Sequence, residues 1–211
     1  MLVSHRDADH AGGAMSVLAA VPVGLLLTSL APDHPAVAEH EQRGPHLRCR
    51  SGQRWTWDGV EFELVFPDPR HYDDPYRKPN DVSCVLRIEA PGGRALIAGD
   101  VEATSEVDLV VERRERLRAD VLVVPHHGSR TSSTPSFVEA VAPRHAVFTV
   151  GYRNRFGHPR ADVVARYERA GAAPHRTDRT GALSFTFAPG AVDAPEAARA
   201  SGRRYWHDPA D

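Results

Sequence analysis

Two histidines and two aspartates fall within the six residues from His5 to His10, in the stretch SHRDADHAGG that follows a short apolar run. Side chains alternate in an extended segment, so His5, Asp7 and Asp9 project to one side at a spacing of two. His10 comes where Gly12 and Gly13 let the chain turn into a helix, so its direction is free to change. Imidazoles and carboxylates gathered in this way are the ligand types of a divalent-metal cradle. The plainer alternative is a helix start capped by Asp9, but a cap needs one carboxylate rather than four ligand-type groups.

Three further segments carry groups of the same kind. The apolar strand LIAGD ends by delivering the Asp100 carboxylate. The strand VLVVP runs into His126, His127 and Gly128, followed by the hydroxyls of Ser129 and Thr131; adjacent imidazoles at a strand end are costly unless they bind something. The segment NRFGHP offers His158, flanked by Arg153 and Arg155, and reads as a loop histidine with a substrate-facing role open to it. His5, Asp7, Asp9, His10 and Asp100, with one or both of His126 and His127, suffice for two adjacent divalent metals bridged by Asp100. Three carboxylates against two such ions leave the site with about one positive charge, which suits a phosphate substrate. The Asp7 carboxylate also makes the set harder and richer in oxygen, moving it from strict zinc toward manganese or magnesium.

The elements that must position these groups follow from the apolar pattern. MLVS reads as the end of a buried strand, residues 10–20 as a helix and VGLLLTS as a second buried strand. Residues 31–50 read as polar loop with one helical turn. RWTWDGVEFELVF reads as a hairpin turning at Asp58-Gly59. After a Pro/Asp-rich loop over 67–81, VSCVLRIEA and RALIAGD form two strands, and residues 102–118 an amphipathic helix. Strands at DVLVVP and HAVFTVG then alternate with helices at TPSFVEAVA and PRADVVARYERAG, and GALSFTF closes as a strand. Short links throughout predict a mixed α/β layered domain. The Ala/Arg/Pro-rich stretch from Ala188 reads as a tail, with RRYWHDP docking back.

Bulk properties bound the rest. The chain's 211 residues fit one domain with a real core, and its net charge of −2 gives no overall attraction for nucleic acid, leaving such contacts to local patches. No aromatic-plus-basic stripe for stacking bases stands out. The arginines of ERRERLR read as a solvated helix face. Cys49 and Cys84 lack any paired spacing, which argues against a disulfide framework and predicts two inert, buried thiols. The longest apolar run is interrupted by Pro22 and Gly24, so no transmembrane segment is read, and no signal peptide either.

SHRDADHAGG resembles the H-x-[HD]-x-D-H signature of the metallo-β-lactamase fold. In its Asp7 form, with NDVSCVLRI, LIAGD, VPHHGSRTSS, GHP and HRTDRTGALSFTF, the chain is similar to the C-terminal hydrolase domain of the ComEC family of DNA-internalisation competence proteins. The resemblance implies an αββα sandwich with metals at one edge between the sheets, and a phosphodiester hydrolase that degrades the DNA strand not taken up. It implies that His5, Asp7 and Asp100 hold one metal and Asp9, His10, Asp100 and His127 the other. His127 is preferred because HGS fits the fold's H-x-[ST] pattern, which leaves His126 for substrate; Asn80 and Ser83 would lie near the metals. The family carries a membrane channel, and its hydrolase domain begins with a strand pair bearing Asp-Val-Gly-Gln-Gly. This chain starts at the metal motif, so the expectation is an N-terminally truncated sandwich, with a domain over 1–187 and a tail over 188–211. It would be a soluble fragment of a parent protein attached to the bacterial inner membrane.

The function these expectations add up to is a nuclease using two divalent ions: manganese or zinc, with magnesium as a third option. Water activated by the ions would attack phosphorus in line, with Asp9 or Asp100 orienting it and taking its proton. His126, Arg153 and Arg155 would hold phosphate oxygens, with Ser129, Thr131, Asn80 and His158 lining the substrate side. Its partners would be DNA, as a single strand or as the degraded strand, and the membrane DNA channel. Two other readings remain open: a small-molecule hydrolase of the same fold acting on a thioester, lactone or phosphoester, and an inactive truncated metal-binding domain.

Overall fold

A computed structural model describes residues 1–202. The chain opens with β1 (Leu2–Val3), α1 (Ala8–Ala11), α2 (Ala14–Ala20), β2 (Leu26–Thr28), α3 (Pro35–Glu41) and β3 (His46–Arg48). These three short strands form a parallel sheet in the order β1-β2-β3. Residues 31–50 are therefore not one loop. Pro35 at the start of α3, with His34 capping Ala36 N–H, gives the helix a proper N-terminus that its polar composition disguised. Two-residue alternation assigns the faces of the sheet: Val3 and Leu26 face the helices, while Leu2 and Leu27 face the opposite way.

The second sheet begins with β4 (Arg54–Trp57) and β5 (Val60–Phe66), the expected hairpin. Asp58 and Gly59 both take positive φ, 50° and 78°, as a two-residue turn of the primed type requires. Then come β6 (Val85–Ala90), β7 (Gly93–Ile97), α4 (Ala103–Leu117), β8 (Val121–Val123), α5 (Pro135–Val141), β9 (His145–Phe148), α6 (Ala161–Arg169) and β10 (Ala173–Arg176). The seven strands run in the order β10-β9-β8-β7-β6-β5-β4, antiparallel from β4 to β7 and parallel from β7 to β10. Leu96, Leu122, Phe148 and Val85 bury one face of this sheet against Leu109, Phe137 and Tyr167 of α4, α5 and α6.

Leu27 of the small sheet meets Leu64 and Leu86 of the large one, with Leu2, Phe62 and Ile88 beside them. The layers are thus helices, small sheet, large sheet, helices: the αββα sandwich that the resemblance implied. Cys49 and Cys84 lie in this seam and are joined as a disulfide across 35 residues. This corrects the expectation of two free thiols. Their spacing gave no hint because the sandwich, not the sequence interval, brings the end of β3 against the start of β6.

GALSFTF, expected to close as one strand, holds only short pieces of strand, and the large sheet ends at β10, in the less apolar APHR. The chain instead continues through α7 (Thr177–Thr180) into the two-residue strands β11 (Leu183–Ser184), β12 (Phe187–Ala188), β13 (Ala191–Val192) and β14 (Glu196–Ala197), then α8 (Ala198–Ser201). β12 pairs with β13 and β11 with β14. Val192, 5% exposed, packs with Val121 and Val147, and Leu183, Phe185 and Phe187 join them. This segment covers the part of the large sheet that the small sheet does not reach. RRYWHDP lies outside the described residues. Among the described residues, no helix is long and apolar enough to cross a membrane.

Candidate metal centre

The candidate ligands are delivered from the C-terminal ends of parallel strands, the edge where α/β sheets build their sites. After β1, Asp7 occupies the N-cap position of α1 but makes no side-chain cap bond, so its carboxylate is not spent on the helix. After β7, Gly99 takes φ 57°, and a Cβ there would lie 2.9 Å from that of Ser83. Ser83 Oγ accepts the backbone N–H of the next residue, Asp100, at 3.2 Å. After β8, His126 and His127 both sit in the left-handed region, φ 48° and 55°. Each such residue costs about 1–2 kcal/mol. The strain aims two imidazoles that a relaxed turn would direct elsewhere.

One ligand atom from each of Asp9, His10, Asp100 and His127 lies within 4.8 Å of all the others. His10 Nε2 is 3.1 Å from Asp100 and 3.3 Å from His127 Nε2, which in turn is 3.2 Å from Asp9. His127 Nδ1 donates to the Thr149 carbonyl at 2.8 Å. A carbonyl only accepts, so the proton is fixed on Nδ1 and the Nε2 lone pair faces the cluster. Two imidazole nitrogens and two carboxylates converging in this way form a donor set suited to one divalent cation.

His5 extends the group. It is fully buried, its Nε2 lies 3.6 Å from Asp7 and 3.9 Å from Asp100, and that nitrogen has no hydrogen-bond partner. Leaving a buried nitrogen unsatisfied costs about 1–3 kcal/mol. A second cation between His5, Asp7 and Asp100 would remove that cost. Burial, then the His10 ring, push the His5 pKa below its ordinary value, keeping it neutral as a ligand must be. Burial also works against charge on Asp100, but the hydrogen bond and charge of His10, with His127 and His5, hold its carboxyl below the usual range. His10 is raised: Asp100, Asp9 and Asp7 outweigh the effect of its burial.

The residues expected on the substrate side fall into two groups. His126 Nδ1 lies 3.2 Å from Thr131 Oγ1 and 3.4 Å from Glu102, and Thr131 is 3.1 Å from Ser129 Oγ. Asn80 donates to the same Glu102 at 3.2 Å, so Glu102 links it to His126. The His158 ring stands 5.9 Å from that of His126, with its Nδ1 buried and unpartnered. Burial and the neighbouring His126 and His127 keep the His158 pKa below its ordinary value. Arg153 and Arg155 are not drawn into the cluster; each guanidinium lies 5.0 Å from an exposed ring, Tyr152 and Phe156 respectively. Both pairs join sequence neighbours within YRNRF, a short aromatic-and-basic run present in the linear sequence. Sequence reasoning also missed Ser4, whose hydroxyl lies 3.2 Å from His5 Nδ1 and 2.9 Å from His10 Nδ1, together with Thr149 and Glu102.

The model of the Metallo-beta-lactamase superfamily matches residues 1–151, and the chain belongs to that superfamily. The solved CmlA, a diiron beta-hydroxylase from Streptomyces venezuelae, shares the fold at 12% identity and a TM-score of 0.57, over 83% of this chain and 42% of that one. Over 92% of its length the chain is 39% identical to the competence protein ComA of Neisseria gonorrhoeae. Over 89% it is 27% identical to the ComE operon protein 3 of Bacillus subtilis. The chain spans about a quarter of the length of these curated relatives, 26% and 24%. The resemblance to the ComEC-type domain therefore stands.

Proposed function

We propose that this chain is a metal-dependent phosphodiesterase domain of the ComEC type, hydrolysing DNA during its uptake. The observation that carries the reading is the convergence of Asp9, His10, Asp100 and His127 beside the buried, unsatisfied Nε2 of His5. Asp9, His10, Asp100 and His127 would hold one divalent ion, and His5, Asp7 and Asp100 a second, with Asp100 shared. Such ions supply Lewis-acid charge for a phosphate and lower the pKa of water. With three carboxylates among the ligands, manganese fits better than zinc alone.

The remaining steps belong to the chain's own side chains. Asp9, 62% exposed on its side chain, would orient water and take its proton. His126, held by Thr131 and Glu102, would donate to a phosphate oxygen beside the centre, with His158 behind it. Ser129, Thr131 and Asn80 set the position of His126, and Arg153 and Arg155 would meet phosphates further along the strand. The partners of this reading are single-stranded DNA and a membrane DNA channel supplied by the parent protein.

A manganese-supplemented nuclease assay tests it, comparing the wild type with Asp100→Ala and His127→Ala. Hydrolysis by the wild type and its loss in both variants is the expected result, with bound metal falling in parallel. Equal activity in all three would refute the assignment. Turnover of a thioester but not of DNA would move the reading to a small-molecule hydrolase.

A further inference from the structure

On the small-sheet side of the metal centre lies a cavity of about 280 Å³, walled by the segments that follow β1 and β2, by Arg48 at the end of β3 and by residues from the 67–82 segment. Arg6, Arg48, Arg77 and Lys78 line it, against the single carboxylate of Asp74. Arg77 is committed to Asp108 and Asp74, and Lys78 to Glu102. Arg6 and Arg48 have no carboxylate partner among the described residues. The Arg48 guanidinium lies 3.5 Å from the centroid of the Tyr72 ring, and Tyr72 is itself tied by its hydroxyl to the Cys49 carbonyl at 2.8 Å. Its Nε is buried and unpartnered. A guanidinium held over a ring in this way, with no carboxylate beside it, is pre-organised for an anion.

The cavity is joined to the metal centre along both rims. Arg6 stands between His5 and Asp7, and Ser29, another lining residue, donates its hydroxyl to the Ser4 carbonyl at 2.6 Å. On the other rim Lys78 reaches Glu102 at 3.3 Å, the carboxylate that faces His126. We propose that this cavity is a phosphate subsite for the strand, with Arg6 and Arg48 holding the backbone phosphate next to the one at the metals. The inference rests on the phosphodiesterase reading and deepens it by naming where a second phosphate of the strand would sit.

The test is metal-free binding in a chelator, which does not depend on catalysis. The probe is fluorescently labelled single-stranded oligodeoxythymidylate of about ten nucleotides, the scale of one single-strand binding groove. The wild type binds it with salt-dependent affinity; Arg6→Glu and Arg48→Gln each weaken binding about tenfold, and Arg48→Gln lowers the log–log salt slope by about 0.7. Arg6 is exposed and has no hydrogen bond or ion pair among the described residues, so an unchanged melting temperature for Arg6→Glu excludes a folding defect. Wild-type affinity in both variants overturns the subsite. So does inorganic phosphate that shifts the Arg6 and Arg48 amide resonances when no strand binds, since the cavity would then be a free-phosphate site. Loss of hydrolysis alone, with strand binding still sensitive to Arg6 and Arg48, overturns the phosphodiesterase reading and leaves the subsite standing.

Discussion

Ser4 sets a single hydroxyl against the Nδ1 atoms of both His5 and His10, so one small side chain orients imidazoles assigned to two different ions. Residues that hold ligands in this way matter nearly as much as the ligands do. Ser4→Ala is therefore expected to lower manganese affinity about 10–100-fold while the fold persists; calorimetric metal titration with a parallel thermal melt checks it, and unchanged affinity would dismiss Ser4 as a positioning residue. His5, Asp7, Asp9, His10 and Asp100, with one or both of His126 and His127, were legible as a candidate cluster from their ligand types at strand ends, whereas the choice of His127 came from the resemblance. Ser4 was not, since a serine beside a histidine carries no signal of its own. Thr149 was less legible still, because it acts through its backbone carbonyl.

Among the elements, α4 and α5 are fastened by Glu106, a fully buried carboxylate on α4 that accepts the backbone N–H groups of Ser133 and Thr134 at the head of α5. Burial pushes its pKa up to about 6 despite those donors. Folding thus favours the protonated form. Its contribution, about 2 kcal/mol, is fully present below the ordinary value of 4.5 and is lost as pH rises through about 6. Carbon-13 NMR titration of the Glu106 carboxyl should find that midpoint, and urea melts should show the step in the wild type and not in Glu106→Gln. A midpoint at the ordinary value would remove it. The strands and helices around this joint were readable from their apolar periods. β3 and β10 were not: each is a short edge strand, and polar residues in HLR and APHR conceal the ladder that their neighbours impose.

At the scale of the molecule, the disulfide ties the end of the small sheet's last strand to the start of β6 in the large sheet. Cross-linking over 35 residues removes chain entropy from the unfolded state worth about 3–4 kcal/mol. Reduction, or Cys49→Ala with Cys84→Ala, should lower the denaturation midpoint accordingly without displacing the metal ligands; equal midpoints for oxidised and reduced protein would contradict this. The layered class was legible from the order of strands and helices, whereas the covalent link was not, because only the finished sandwich brings the two cysteines together. The covering of the large sheet carries a different consequence, one of timing. Leu27, near the beginning of the chain, and Val192, near the end of the described residues, shield different parts of the same sheet. On the ribosome Leu27 emerges well before Val192. The large sheet is therefore covered in two stages, and the part that carries Val121 and Val147 stays bare until Val192 has emerged.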